Sequence, residues 1–340
     1  MNVQYDYVNL TDVFKEVGRD NRLLQQLKMF SEIGQDSHFF SFDMLFENDQ
    51  DTAAPVNRYG SDWQYTKREL AKLEQMEMNT FAFMDPVRPS DWQGKRKPGG
   101  TEQLTATDVL ISQMRKQKQK AERTIESLLA DSLFRNNVAA PYTQDAVVDN
   151  QVITGRSQQT HNIDLSSATT IVDVEVNKIY RKIKKALGDK SDFLTKVICF
   201  AGPSYFDALK AHQSVRALFV NGGTVPDAVG QHVIGNYAEI AAGTQMFIFA
   251  GILFICDDID VHGIGTNDAF YVPVLKAESG VYSYHYGPAA RHGRAAEEGP
   301  ARVHNYSVMD KFAMTEACTE FSGLPLNLMP AAVVKSSNQA

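Results

Sequence analysis

Residues 105–135 read TATDVLISQMRKQKQKAERTIESLLADSLFR, and no glycine or proline interrupts the chain from residue 101 to residue 140. Thr105 followed by Asp108 has the form of a capping box, with the shorter acid in place of the usual glutamate. Leu110, Met114, Ala121, Ile125, Leu128 and Leu129 then recur at helical spacing and form one apolar stripe. The pattern predicts a single helix over 105–135, roughly 45 Å long at 1.5 Å per residue. Lys116, Lys120 and Arg123 fall on the face opposite the stripe. Such a face is either plainly solvated or lies against a polyanion.

Outward from this helix the chain changes character on both sides. Residues 1–54 hold ten acidic and four basic side chains among scattered aromatics, with Phe39, Phe40, Phe42 and Phe46 close together. No sustained period runs through them. They read as an extended arm whose aromatics need a neighbour to cover them. On that reading, deleting residues 1–40 should leave a folded but non-assembling subunit. Residues 55–100 are charged, poor in aliphatics and broken at Asp85-Pro86 and at Pro98-Gly99-Gly100, which predicts a projecting two-stranded loop. Beyond Pro141, residues 147–163 read as a hairpin around Thr154-Gly155, and 171–187 as an amphipathic helix closed by Gly188. A short buried strand at 197–200 turns at Gly202-Pro203 into another helix, with Ser204 as its capping residue. Residues 245–260 read as two strands bent at Ala250-Gly251, and further strands follow to the C-terminus. The class this predicts is α+β.

Composition narrows the functional classes. The chain has 340 residues, 43% hydrophobic and 22% charged, with 34 Lys plus Arg against 41 Asp plus Glu, a formal charge of −7. That excludes wholesale disorder and a disulfide mini-scaffold, and it confines any nucleic-acid contact to local basic faces. Cys199, Cys256 and Cys318 are far apart and odd in number, so they read as reduced core thiols. The start of the chain lacks the basic and apolar runs of a signal peptide. The longest apolar stretch, 246–256, is too short to span a bilayer.

Catalytic signals are weak. Gly202-Pro203-Ser204 lacks the second glycine of a nucleophile elbow, and Cys199 sits in an apolar strand that disfavours a thiolate beside His212. If the strand through 252–256 continued, Asp258, Asp260 and His262 would share one face by the period-two rule and offer two carboxylates and an imidazole to a divalent ion. A metal-dependent hydrolase built on those three residues is the enzymatic alternative. No phosphate loop, dinucleotide fingerprint or zincin motif occurs, so neither an enzyme nor a cofactor is expected.

Three stretches together resemble the lambda-type major capsid proteins of tailed bacteriophages, the phage major capsid protein E family. They are Glu122-Arg123-Thr124-Ile125-Glu126 with Leu128-Leu129-Ala130, then Tyr205-Phe206-Asp207-Ala208-Leu209 continuing to His212 and Val215-Arg216, then Tyr286-Gly287-Pro288 with Ser322-Gly323-Leu324-Pro325-Leu326. Gly323-Leu324-Pro325 departs from the family's usual wording there. The resemblance implies an HK97-like fold. Residues 1–50 become an N-terminal arm and 51–100 an E-loop. Residues 101–169 form a P domain with its spine helix at 105–135, 170–300 an A domain, and 301–340 strands returning to the P domain. It further implies a virion subunit, assembled in the host cytoplasm into hexamers and pentamers of an icosahedral shell around double-stranded DNA. A separate scaffolding protein, a portal and a decoration protein are the implied partners; no fused scaffold and no membrane are expected. Lys116, Lys120 and Arg123 are the candidate DNA-facing residues. An encapsulin-like nanocompartment shell is the alternative within the fold.

Overall fold

The computed structural model of the chain describes residues 8–9, 22–46, 70–97, 102–138, 148–221, 245–309, 311 and 314–338. Much of the expected arm, and the tip of the expected loop, lie outside the described residues. The long helix forms as its sequence dictates. It runs Ala106–Ala130, with the Asp108 N–H donating to Thr105 Oγ1 (3.2 Å) and the Thr105 N–H to Asp108 Oδ2 (3.0 Å). A wider π turn, Asp131–Arg135, follows and ends at Asn136 in the left-handed region (φ 57°). Met114, Ala121, Ile125, Leu128 and Leu129 are buried, as the stripe requires.

Under this helix lies a six-stranded sheet organised by one strand, Thr315–Asn327. One of its edges pairs with His304–Met309 and then with Tyr282–Tyr286, the other with Asn79–Pro86, all antiparallel. Ser31–Gly34 adds a parallel strand beside Tyr282–Tyr286. Gln117, on the buried side of the helix, donates to Asp85 Oδ2 (2.6 Å) and to the Ala317 carbonyl (3.0 Å), and accepts from the Thr319 hydroxyl (2.8 Å). Both ends of its amide are satisfied, which is what allows a glutamine in that position.

The second six-stranded sheet runs Met246–Phe249, Ile252–Cys256, Leu194–Ala201, Asp268–Leu275, Val334–Ser337 and Gln159–Thr160. Its first two strands are joined through Ala250 (φ 49°) and Gly251 (φ 75°), two positive-φ residues in a row, as a tight hairpin turn demands. Helix Val172–Leu187 buries Val172, Val176, Ile179, Ile183 and Leu187 and packs beside Val334–Ser337. The two sheets interleave in sequence: Tyr282–Tyr286 belongs to the first, and Val334–Ser337 to the second.

Three expectations are corrected. Residues 147–163 are not a hairpin. Asp149 caps a short helix, Asn150–Thr154, by accepting from the Gln151 N–H (2.8 Å), and Gly155 (φ 65°) closes it. The flanking strands then diverge, one to residues 137–138 and the other to the second sheet. Ser204 is not a cap, because Pro203 already occupies the first turn of helix Pro203–Ala211 and Gly202 is the N-cap. The expected arm is only partly extended. Leu23, Leu24, Met29 and Phe30 are buried in the subunit's own core, and the Phe40 ring stacks on His285 at 4.2 Å. Deleting residues 1–40 would therefore remove part of that core, and is expected to destabilise the subunit rather than leave its fold untouched.

Candidate functional site at the C-terminal half of the long helix

Lys116, Lys120 and Arg123 are exposed on the long helix, and the Lys120 ammonium stands 4.2 Å over the Phe83 ring. The hydrolase constellation does not assemble. The strand ends at Cys256, because the Asp257 carboxylate accepts the Ile259 N–H (3.1 Å) and starts a turn closed by the His262 N–H on the Ile259 carbonyl (3.0 Å). Asp258 and Asp260 are left in solvent while His262 is buried, so the three no longer share a face. Among the described residues, no three His, Cys, Asp or Glu side chains form a group able to hold a metal ion. Cys199 is fully buried, which pushes its thiol well above the usual range. His212 instead faces the Ser167 carbonyl and the Ser214 hydroxyl.

What His262 does meet is the long helix. Its Nδ1 is 2.5 Å from Asp257 Oδ2 and its Nε2 3.0 Å from Glu126 Oε1, all three side chains being buried. Two acceptors on two ring nitrogens require two ring hydrogens, so this geometry holds an imidazolium. Burial alone would push the ring's pKa down; the hydrogen bonds to Asp257 and Glu126, with their charge attraction, override it and hold it at about 9. The other Glu126 contacts are backbone: the Leu24 N–H donates to Oε1 (2.7 Å) and the Gln25 N–H to Oε2 (3.3 Å). One carboxylate thus joins the N-terminal segment, the long helix and the 257–263 turn.

One helical turn earlier Glu122 has the same role. Its carboxylate pairs with Arg22 (3.2 Å) and Arg302 (3.1 Å), and its backbone carbonyl accepts from the Gln25 side chain (2.9 Å). Arg302 also bonds Gln25 Oε1 (2.7 Å) and Glu32. The sequence carries a signal for this pair. Glu122 and Glu126 are spaced i, i+4 beside Ile125 and Leu129 on the apolar side of the helix, where an unpaired carboxylate would be costly. Their partners are about 100 or more residues away, which no local pattern shows.

A pH dependence follows. The folded His262 has a raised pKa, so its contribution is complete below the ordinary histidine value and is lost as pH rises through about 9. Against a His262→Gln variant, the unmodified chain is expected to lose on the order of 3 kcal/mol of stability between pH 6.5 and 9.5. Urea melts across that range check it, and parallel curves for the two proteins would refute it.

The geometry is that of a structural subunit: buried ion pairs clamp elements together, one exposed helix face is basic, and a two-stranded ribbon, Phe39–Phe46 with Leu70–Glu77, forms a sheet by itself. Solved structures of similar fold are of that class. The capsid of a native GTA particle shares 10% identity and a TM-score of 0.54, covering 96% of this chain and 93% of that one. The putative capsid protein of a prophage of E. coli CFT073 shares 9% identity and a TM-score of 0.51, covering 79% and 80%. The mature capsid of bacteriophage PhiM1 shares 13% identity and a TM-score of 0.50, covering 92% and 86%. At such identities they establish the fold, which is the HK97-type capsid fold. The family is given by sequence: the model of phage major capsid protein E matches residues 6–274, and the chain belongs to that family. It is a phage major capsid protein, a structural protein and not an enzyme. No curated protein matches it in sequence.

Proposed function

We propose that this subunit associates with copies of itself into the hexamers and pentamers of an icosahedral head shell that encloses double-stranded DNA. The observation that carries this, beside the family, is the ribbon of Phe39–Phe46 and Leu70–Glu77. Among the described residues no third strand joins it, and Phe39 on it is 52% exposed. An exposed aromatic on a ribbon that no third described strand joins is a surface for a neighbouring subunit to cover. Residues 1–50 are read as the arm, 51–100 as the E-loop, 101–169 with the long helix as the P domain, 170–300 as the A domain, and 301–340 as strands returning to the P domain. The second six-stranded sheet, with four of its strands inside 170–300, supports the A domain, and Gln159–Thr160 and Val334–Ser337 join it from outside. The first takes two strands from 301–340 and its other four from the arm, the loop and Tyr282–Tyr286. A separate scaffolding protein, a portal and a decoration protein complete the head, which is assembled in the host cytoplasm. Electron microscopy of the purified chain, with and without its scaffolding protein, is the test: closed shells support the reading, and a permanent monomer refutes it.

The DNA contact in this reading is non-specific and lies at Lys116, Lys120 and Arg123, all exposed, with Lys116 and Arg123 opposite the apolar stripe and Lys120 at its flank over Phe83. Replacing all three with Gln is expected to leave the helix intact, because Gln has similar helix propensity. Empty shells should form as before, while retention of a full-length genome weakens, most at low salt where screening is least. Genome retention unchanged across the salt series would place this face away from DNA.

A further inference from the structure

Helix Val172–Leu187 carries five basic side chains (Lys178, Arg181, Lys182, Lys184, Lys185) against two acidic ones (Asp173, Glu175) in a chain whose net charge is −7. Its outer face has an order. Ile171, Val174, Lys178, Arg181 and Lys185 follow one another at intervals of three, four, three and four residues, the spacing of a single contact line on a helix. All five are exposed, Ile171 at 61% and Val174 at 44%. Lys178 pairs with Glu175 (2.7 Å), whereas Arg181 and Lys185 have no counter-ion among the described residues. Two bare β-branched residues followed by unpaired cations fit an acidic and aliphatic protein surface better than a phosphate backbone, which has no use for the apolar half.

The same chain exposes such a surface. In the 258–261 turn, Asp258 and Asp260 are exposed and without an ion-pair partner among the described residues, and Ile259 and Val261 between and beside them are half-buried. The turn is held from behind. Asp257 and His262 are locked to each other and to Glu126, and the His262 and Gly263 N–H groups close it on the Ile259 and Asp260 carbonyls. Its two free carboxylates are therefore presented with little left to order on binding. Within one subunit the two surfaces are apart. The turn leaves the strand Ile252–Cys256, while the helix packs beside Val334–Ser337, and Lys182 on it bonds the Thr160 carbonyl (3.0 Å). Those strands are three places apart in the sheet, roughly 14 Å at 4.8 Å per strand.

We infer that the basic line of helix Val172–Leu187 docks on the 258–261 turn of a second copy of this chain. The two patches differ and lie apart on one subunit, so the same contact can repeat head-to-tail around a ring. It rests on the proposed self-assembly and names two surfaces that meet in it. The test uses the full chain with Arg181→Glu and Lys185→Glu together, with Asp258→Lys and Asp260→Lys together, and with all four. Sedimentation at low and high salt measures assembled species, electron microscopy identifies them, and thermal melts check folding. Each reversed pair is expected to lower the assembled fraction about tenfold, and the fourfold variant to recover most of it, at unchanged melting midpoints. Undiminished assembly after either reversal, or a fourfold variant no better than its parts, overturns the contact while self-assembly stands. An unmodified chain that stays monomeric under all these conditions overturns both.

Discussion

Glu126→Ala is expected to lower the unfolding free energy by about 3–5 kcal/mol, because it removes one partner of a buried ion pair and leaves the other in place. The imidazolium of His262 would keep Asp257 but lose its second acceptor, and the Leu24 and Gln25 N–H groups would lose theirs. Glu126→Gln is the informative companion. It keeps an oxygen for the backbone donors and removes the charge, so its effect should be smaller, about 1–2 kcal/mol, and should fall largely on the pH dependence. Urea melts of both variants at pH 6.5 and 9.5 separate the two contributions. A Gln variant as stable as the unmodified chain at both pH values would mean that the charge contributes nothing and that the side chain acts only as an acceptor and a filler of space.

Gly202→Ala is expected to be comparably severe, about 3 kcal/mol, for a different reason. The backbone there is ordinary, with φ −63°, so conformational freedom is not what glycine supplies. A Cβ at 202 would overlap the Gly265 carbonyl oxygen and stand 2.7 Å from the Thr266 carbonyl oxygen. Neither can retreat easily. The Thr266 carbonyl accepts the Tyr205 N–H (3.0 Å), the Gly265 carbonyl accepts the Asp268 N–H (2.9 Å), and the Gly202 N–H itself donates to the Asp268 carbonyl (2.8 Å). Thermal melts check this, and a midpoint within a degree or two of the unmodified chain would show that the 265–268 loop can shift.

These two residues mark where the sequence was readable and where it was not. Gly202-Pro203 announces a strand-to-helix turn, and the turn is there, but that its glycine makes room for another loop depends on residues some sixty positions on. The long helix was legible to within its last turn because capping and periodicity are local properties. The bend at Ala250-Gly251 was legible for the same reason. The 147–163 region was misread because Thr154-Gly155 marks a helix end as well as it marks a hairpin, and only the Asp149 cap tells them apart. The candidate site was seen in part. His262 was chosen for alternation with Asp258 and Asp260, yet the strand stops at Cys256, and its true partners are Asp257 beside it and Glu126, 136 positions away.

The strand Thr315–Asn327 has a consequence in time. Among the described residues it is the one element to which His304–Met309, Tyr282–Tyr286 and Asn79–Pro86 all bond, and it follows all three in sequence. During synthesis the other three are made first and wait, their edges open, for a centre that follows them. Contacts between positions near 80 and near 320 are of the long-range kind that slows folding. A nascent subunit thus cannot complete its first sheet, or offer a finished surface to a sister, until residues 315–327 have been made. Completion of this strand is the step after which a subunit can turn competent, which favours joining whole sheets over tangling half-made ones.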